Sequence, residues 1–373
     1  MRPRIGFIGA PLFGQPASLP YNRAMNHLEI ILPFCIPPAP LAPDLLRELQ
    51  TPAFAKLIAL ANRGEMHIFD TFSRRLPHES LLAGHFSLES RTGIAQSDFN
   101  VKDNHLNSPA TTHRKMQQFG LTPDEGFWFT LSPVHIHIAR DHLVLTDQRR
   151  LNLSEAEARV LFDAALPMCA ELGKTLLYGD AKTWFLRADA WHALQTATMD
   201  AACGHNIDIW MPKGEQEVAW RKLQNEIQML WFIHDVNTQR DARGDNLVNS
   251  VWLHSGSAAL TPMPVIQSSR TDLSAIIRGM NSQHKTILQL DALLEPALNN
   301  DWANWLDAMH QLETHWFAPL LQALKDKKIR QLSLVTTDAN RLMTFSLTSN
   351  SLWKFWRAPS LDQLFSIATT DTP

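Results

Sequence analysis

Asn237, Arg240, Arg243, Asn246 and Asn249 gather amide and guanidinium groups within thirteen positions of a single polar stretch. Such groups can hold a phosphate or a carboxylate, because their N–H donors match paired anionic oxygens. The same set can equally form a buried network that fixes two elements against each other, since most buried polar side chains are simply satisfied ones. The stretch reads as a turn between an apolar helix ending near His234 and a strand-like segment, Ser250 to Leu253, that would hold these groups still.

Other candidate chemistry is sparse. His135-x-His137 has the spacing of two metal ligands on one strand face, but no third or fourth ligand forms a distinctive pattern nearby, so the pair reads as solvent-facing. Around Ser255 the order Leu253-His-Ser-Gly-Ser257 does not supply the G-x-S-x-G of a nucleophile elbow. There is no G-x-x-x-x-G-K-[ST] loop, no G-x-G-x-x-G after a strand and no H-E-x-x-H on a helix, which disfavours nucleotide binding by the common loops. Trp353-Lys-Phe-Trp-Arg357 mixes aromatic and cationic groups and reads as an amphipathic chain end covering the core, with Arg357 able to stack on a partner.

The elements that would position these residues alternate between strands and helices. Leu28 to Leu32 reads as the first strand, followed by a proline-rich loop from Pro33 to Pro43 at its carboxyl end, where α/β sheets often bind ligands. Thr51-Pro52 opens a helix that Gly64 stops. Residues 69 to 125 carry a weaker pattern, with a short helix around Glu79 to Ala83. Val134 to Ile138 alternates like a half-buried strand and can pair with Leu143 to Leu145. Ser154 and Glu157 form a capping box for a helix reaching about Leu172. Thr175 to Tyr178, Thr183 to Arg187 and Ile207 to Met211 read as strands, and Asp189 to Thr196 as a short helix.

Trp220, Leu223, Ile227, Leu230, Trp231 and His234 share one face of a helix that begins at Glu217. Past the interruption at Thr261-Pro-Met-Pro264 come short helices at Leu273 to Gly279 and Asp291 to Leu298 around a strand near Thr286 to Leu290. Asp301 caps a long helix ending near Lys325, and Leu332 to Thr336 and Met343 to Leu347 are the last strands.

At 373 residues the chain suggests about two domains. We divide it into a loose leader at 1–24, with Met25 a possible alternative start, a first core part at 25–130, an inserted α+β domain at 131–215 and a second core part at 216–373. A net charge of −3 leaves no basic footprint for nucleic acid, and no apolar run is long enough for a membrane helix. Cys35, Cys169 and Cys203 are too few and too far apart for a disulfide framework or a C-x-x-C site, which fits a reducing cytoplasm.

With V-N-T-Q-R-D-A-R-G and N-S-V-W-L-H-S-G-S in place, together with S-P-V-H-I at 132–136, T-W-F-L-R from Thr183, M-P-K-G at 211–214, E-I-Q-M at 226–229 and the terminal F-W-R-A-P, the chain resembles the RpfE-type bacterial regulatory proteins, a phosphoglycerate-mutase-like group. More distantly it is similar to archaeal-type cofactor-independent phosphoglycerate mutases. Their N-x-x-R turn followed by a-N-x-i-W-x-W-G-x-G has the order of Asn237, Arg240, Asn249, Trp252 and Gly256, with His254 where a second Trp is favoured and Ser255 where Gly is.

This resemblance implies an α/β fold with an alkaline-phosphatase-like core sheet flanked by helices. It makes Asn237, Arg240, Arg243, Asn249, Trp252 and His254 candidates for binding a small phosphorylated or anionic ligand, or a protein partner. It also implies two divalent metals, whose first Asp ligand would end the first strand, where Leu32-Pro-Phe-Cys35 stands instead. Thr336-Thr-Asp338-Ala-Asn340 resembles a T-P-D-H ligand segment with Ala339 replacing the His, which leaves one carboxylate, Asp338. One aspartate does not hold two metals. The expectation is therefore a degenerate core without metal or cofactor in a regulatory or binding protein. The alternatives are an active mutase or phosphotransferase with unrecognised ligands, and an interaction scaffold whose polar stretch is structural.

Overall fold

Five of the six residues of β1 (His27–Leu32) are buried, a near-continuous apolar run of the kind that central parallel strands carry. In the computed structural model, which describes residues 26–86, 107–123, 125–258, 273–280, 285–354 and 356–369, β1 lies parallel to its two neighbours, β9 (Thr286–Gln289) and β10 (Gln331–Thr337). β11 (Arg341–Thr348) and β2 (Asn62–Ile68) extend this sheet antiparallel, giving the order β2-β11-β10-β1-β9. The leader at 1–24, Met25 and the Thr261–Pro264 interruption lie outside the described residues.

A second, antiparallel sheet has the order β6-β7-β3-β8, from β3 (Trp128–Val134), β6 (Leu176–Asp180), β7 (Thr183–Arg187) and β8 (Ser250–Ser257). β4 (Ile136–Ala139) and β5 (His142–Leu145) form a separate two-stranded ribbon. Because β8 pairs with β3, this sheet reaches past residue 215 to Ser257.

In chain order the helices are α1 (Ala42–Glu48), α2 (Pro52–Leu60), α3 (Pro77–Phe86), α4 (Thr112–Gln118), α5 (Glu155–Glu171), α6 (Met199–Ala202) and α7 (Glu217–Phe232). They continue as α8 (Asp235–Arg243), α9 (Leu273–Gly279), α10 (Leu294–Leu298), α11 (Trp302–Leu312), α12 (Ala318–Lys325) and α13 (Asp362–Thr369). Leu28, Ile30 and Leu32 share a core with Phe54 and Leu57 of α2 and with Leu320 and Leu324 of α12. Ile31 packs with Val335, Leu342 and Ala83 of α3 in a separate cluster. The larger sheet is thus a mixed sheet with helices on both faces. On the smaller one, Trp231 of α7 meets Trp184 of β7 edge to face at 5.8 Å and donates its indole N–H to Leu161 O of α5 at 3.2 Å.

Several segments differ from their sequence reading. The helix opened by Pro52 stops at Leu60, and Asn62–Ile68, with Gly64 inside it, is the edge strand β2; pairing with β11 outweighs local propensity there, and Arg63 and Glu65 keep the edge polar. Val134 to Ile138 is not one strand, because the chain leaves β3 at His135 to enter the ribbon. Ile207 to Met211 makes a 3₁₀ turn at Ile207–Ile209 instead of a strand, and only Asp189–Trp191 of the expected short helix is helical. The polar stretch after α7 is itself a helix, α8, started by His234 and closed by Gly244 at φ 76°.

The long C-terminal helix has one widened π turn, Glu313–Phe317, just before Pro319, whose missing N–H cannot continue the ladder. The turn serves a purpose in packing. Thr51 does not cap α2 with its side chain; the Glu313 carboxylate does, accepting from Ala53 N at 2.7 Å and Phe54 N at 3.0 Å across the core. With Glu313 only 9% exposed, Glu313→Ala strands two buried amides, and we expect a loss of about 2–3 kcal/mol in urea unfolding.

Candidate functional site

The carboxyl ends of β1 and β10 meet where the resemblance would place metal ligands. After Leu32, the residues Phe34, Cys35 and Ile36 are buried and apolar. Phe34 N donates to Thr337 Oγ1 at 3.3 Å, Ile36 N to Thr337 O at 3.1 Å, and Trp305 Nε1 to Phe34 O at 2.9 Å. Burial drives the Cys35 thiol far above its ordinary range, so it stays neutral. Asp338 belongs to the β10–β11 turn. Its Oδ1 accepts from Asn340 N at 3.0 Å and Arg341 N at 2.7 Å, and its Oδ2 from Arg341 Nε at 2.7 Å and Nη2 at 2.6 Å.

Both oxygens of the surviving carboxylate are therefore committed, to a turn and to a guanidinium that would repel a dication. Leu32 to Cys35 supplies no hard donor, and Ala339 supplies none. These residues do not fit the implied two-metal group. Among the described residues no three His, Cys, Asp or Glu side chains cluster in a way that could hold a metal ion.

The α8–β8 residues converge, but on one another's backbone. Arg240 is fully buried; Nε donates to Asn246 O at 2.8 Å, Nη1 to Glu157 Oε2 at 3.0 Å, and Nη2 to Leu151 O at 2.5 Å. Arg243 reaches the same carboxylate at 2.6 Å and also Asp245 at 3.0 Å. Asn237 exchanges hydrogen bonds with Val248 N and O, both at 2.8 Å, and donates to Trp231 O at 2.9 Å. Asn249 does the same with Ile136, at 2.8 and 2.7 Å. Trp252 donates to Ala197 O at 2.9 Å. His254 lies between Ser132 Oγ at 3.3 Å and Ser255 Oγ at 2.9 Å, and burial, helped by Lys115, lowers its pKa well below the usual value.

Of the two readings of the polar stretch, the contacts are those of a network that ties α5, α7, α8 and the β3–β4 junction together. His135 is likewise half-buried and donates to Leu247 O at 2.8 Å, while His137 is exposed.

A second polar cluster was not legible in the sequence. Glu79 of α3 accepts from Leu76 N at 2.7 Å and Thr198 Oγ1 at 2.8 Å, and burial followed by the charge of Asp200 raises its pKa. Asp200 is also raised by burial, although Arg149 holds it at 2.6 Å and reaches Asp147 at 2.8 Å. Lys115 of α4 is lowered by burial against the pull of Glu79 and Asp200, and His78 falls to about 3 through burial and Arg149. Carboxyls pushed up beside cations pushed down is a pattern found at functional sites and at structural ion networks alike. Its members come from widely separated segments, so no local motif announces them. A cavity of about 190 Å³ lined by Asp147, Arg149, Asp200 and Cys203 adjoins it.

The C-terminal aromatic segment also departs from its reading. Trp353 and Trp356 are 75% and 70% exposed, and the cations do the anchoring: Lys354 Nζ donates to Leu60 O at 3.3 Å and Arg357 Nη1 to Ala59 O at 3.0 Å, capping the end of α2.

No protein-family model and no curated protein matches the chain. Among solved structures, the PH0037 protein from Pyrococcus horikoshii is similar at a TM-score of 0.46 and 10% identity over 87% of each chain. The cofactor-independent phosphoglycerate mutase from Thermoplasma acidophilum is a more distant neighbour, with a TM-score of 0.30 and 14% identity over 87% of this chain and 90% of that one.

The Arg240 clamp makes a pH-dependent contribution. Burial alone would raise the Glu157 carboxyl, but hydrogen bonds from Ser154 and Arg243 and the charge of Arg240 bring it down to about 2. A lowered folded-state pKa stabilises above the ordinary value of 4.5, and that contribution is lost as pH falls from 4.5 toward about 2. Glu157→Gln should flatten this part of the stability profile, and Arg240→Ala should cost about 3–5 kcal/mol at neutral pH by chemical denaturation.

Proposed function

We propose that this protein is a degenerate phosphoglycerate-mutase-like chain that acts by binding, as a cytoplasmic regulatory protein of the RpfE type, and does not transfer phosphoryl groups through a two-metal centre. One observation carries the reading: the carboxylate left in the ligand segment, Asp338, is clamped by Arg341 and by its own turn, opposite a strand end of buried apolar side chains. The motif order through Asn237, Arg240, Asn249 and Trp252 supports the relationship, with those residues serving the scaffold. Three buried free cysteines fit a reducing compartment. No described helix is long and apolar enough to cross a membrane.

The direct test is metal content by mass spectrometry together with turnover of 3-phosphoglycerate in the presence of added Mn²⁺. We expect substoichiometric metal and no turnover, and an Asp338→Asn variant that loses stability with no change in metal content. Two tightly held Mn or Zn ions per chain with measurable mutase activity would overturn the proposal.

A further inference from the structure

Nine of the twelve tryptophans are buried, as side chains of that size usually are, whereas Trp353 and Trp356 are 75% and 70% exposed. They stand close together, since a tight turn in which Arg357 N donates to Lys354 O at 3.0 Å directly follows Trp353 and contains Trp356. The charged side chains of this turn point inward. Lys354 Nζ, besides its bond to Leu60 O, reaches Asn62 Oδ1 at 2.9 Å, and Arg357 ends on Ala59 O. Both cations are drawn onto the end of α2, and the two indoles remain outside.

The surroundings are basic. Arg330 immediately precedes β10, the 3₁₀ turn Ser349–Trp353 immediately follows β11, and Asn62 opens β2, so all three stand at the end of the larger sheet away from Asp338. The pairing of Gln331 with Thr348 and of Asn62 with Ser346 keeps them adjacent, and Ser349 N donates to Arg330 O at 3.2 Å. Helix α12 finishes there too, at Lys325. Residues 59–65, 325–330 and 349–357 carry seven cations, of which Arg63, Lys325, Lys327, Lys328 and Arg330 are exposed and unused by α2. Their carboxylates are two, Glu65 and Asp326, and Lys328 holds Asp326 at 3.3 Å. In a chain of net charge −3, this corner has the opposite sign.

Two indoles bury about 300–500 Å² between them, well short of the roughly 800 Å² per partner of a specific protein interface. Indoles set in a basic corner suit an anionic lipid surface, where the rings enter the boundary between headgroups and acyl chains and the cations meet the headgroup charges. We infer that this end of the larger sheet docks on the surface of an anionic lipid bilayer, with Trp353 and Trp356 as its anchors. The contact is peripheral, since no described helix is long and apolar enough to cross. Neither Asp338 nor the Arg240 network takes part in it, so it stands apart from the phosphoglycerate-mutase-like reading.

Flotation of the full chain with phosphatidylcholine vesicles containing about a third phosphatidylserine, compared with pure phosphatidylcholine, tests it. The chain should float with the anionic vesicles and not with the neutral ones, and rising salt should release it by screening the surface charges. Trp353→Ala/Trp356→Ala should weaken binding at least about tenfold while melting like the parent, with Trp353→Ala alone acting in the same direction. Lys325→Glu/Arg330→Glu should also weaken it. Brominated acyl chains should quench part of the parent's tryptophan emission and none of the double tryptophan variant's. Failure to float with anionic vesicles overturns the inference. So does flotation that the tryptophan variants leave unchanged, whether or not the charge reversals abolish it.

Discussion

The arrangement of the larger sheet depends on the pairing of Asp338 with Arg341. A carboxylate at the end of a central parallel strand is costly to bury and needs a partner. Here the partner comes from three residues along the same hairpin, and two backbone amides take the remaining lone pairs. With that charge neutralised locally, the carboxyl end of β10 can be covered. Thr337 receives the chain leaving β1 through its hydroxyl and its carbonyl, and Trp305 pins the Phe34 carbonyl from the helix layer. A region that in many α/β proteins opens into a ligand crevice is closed by hydrogen bonds and apolar packing.

The α8–β8 junction shows the same economy. Arg240 and Asn249 bind backbone groups of segments distant in sequence, and Asn237 binds those on either side of its own helix, so irregular connections have their polar groups satisfied by side chains. Replacing such groups with apolar ones need not destabilise a protein, but removing one partner leaves the others buried and unpaired. The junction is therefore sensitive to truncation whatever its role in recognition.

How much of this could be read from the sequence depended on whether the cause was local. The Ser154–Glu157 capping box, the Asp301 cap and the run at Leu28 to Leu32 are short-range signals, and each appears as read. The alternation of strands and helices fits the α/β fold that the resemblance implied, but that the larger sheet is mixed comes only from its pairings. β2 was missed because Asn62–Ile68 becomes a strand only through β11, which lies far along the chain. α8 was read as a turn because its composition is polar, whereas its N-cap and terminal Gly244 make it a helix. The polar stretch left two readings open, and only three-dimensional contacts show which backbone groups its donors reach. The Glu79–Lys115–Asp200 cluster had no sequence signature at all, since its members stand on α3, α4 and α6, far apart along the chain.

The account stands on a carboxylate claimed by a guanidinium in place of a cation. The most direct measurement is anomalous diffraction from crystals grown in excess Mn²⁺. The account predicts no manganese peak at the Asp338 carboxylate and Arg341 still paired to it. A manganese ion bound to Asp338, with the Arg341 side chain displaced, would contradict it.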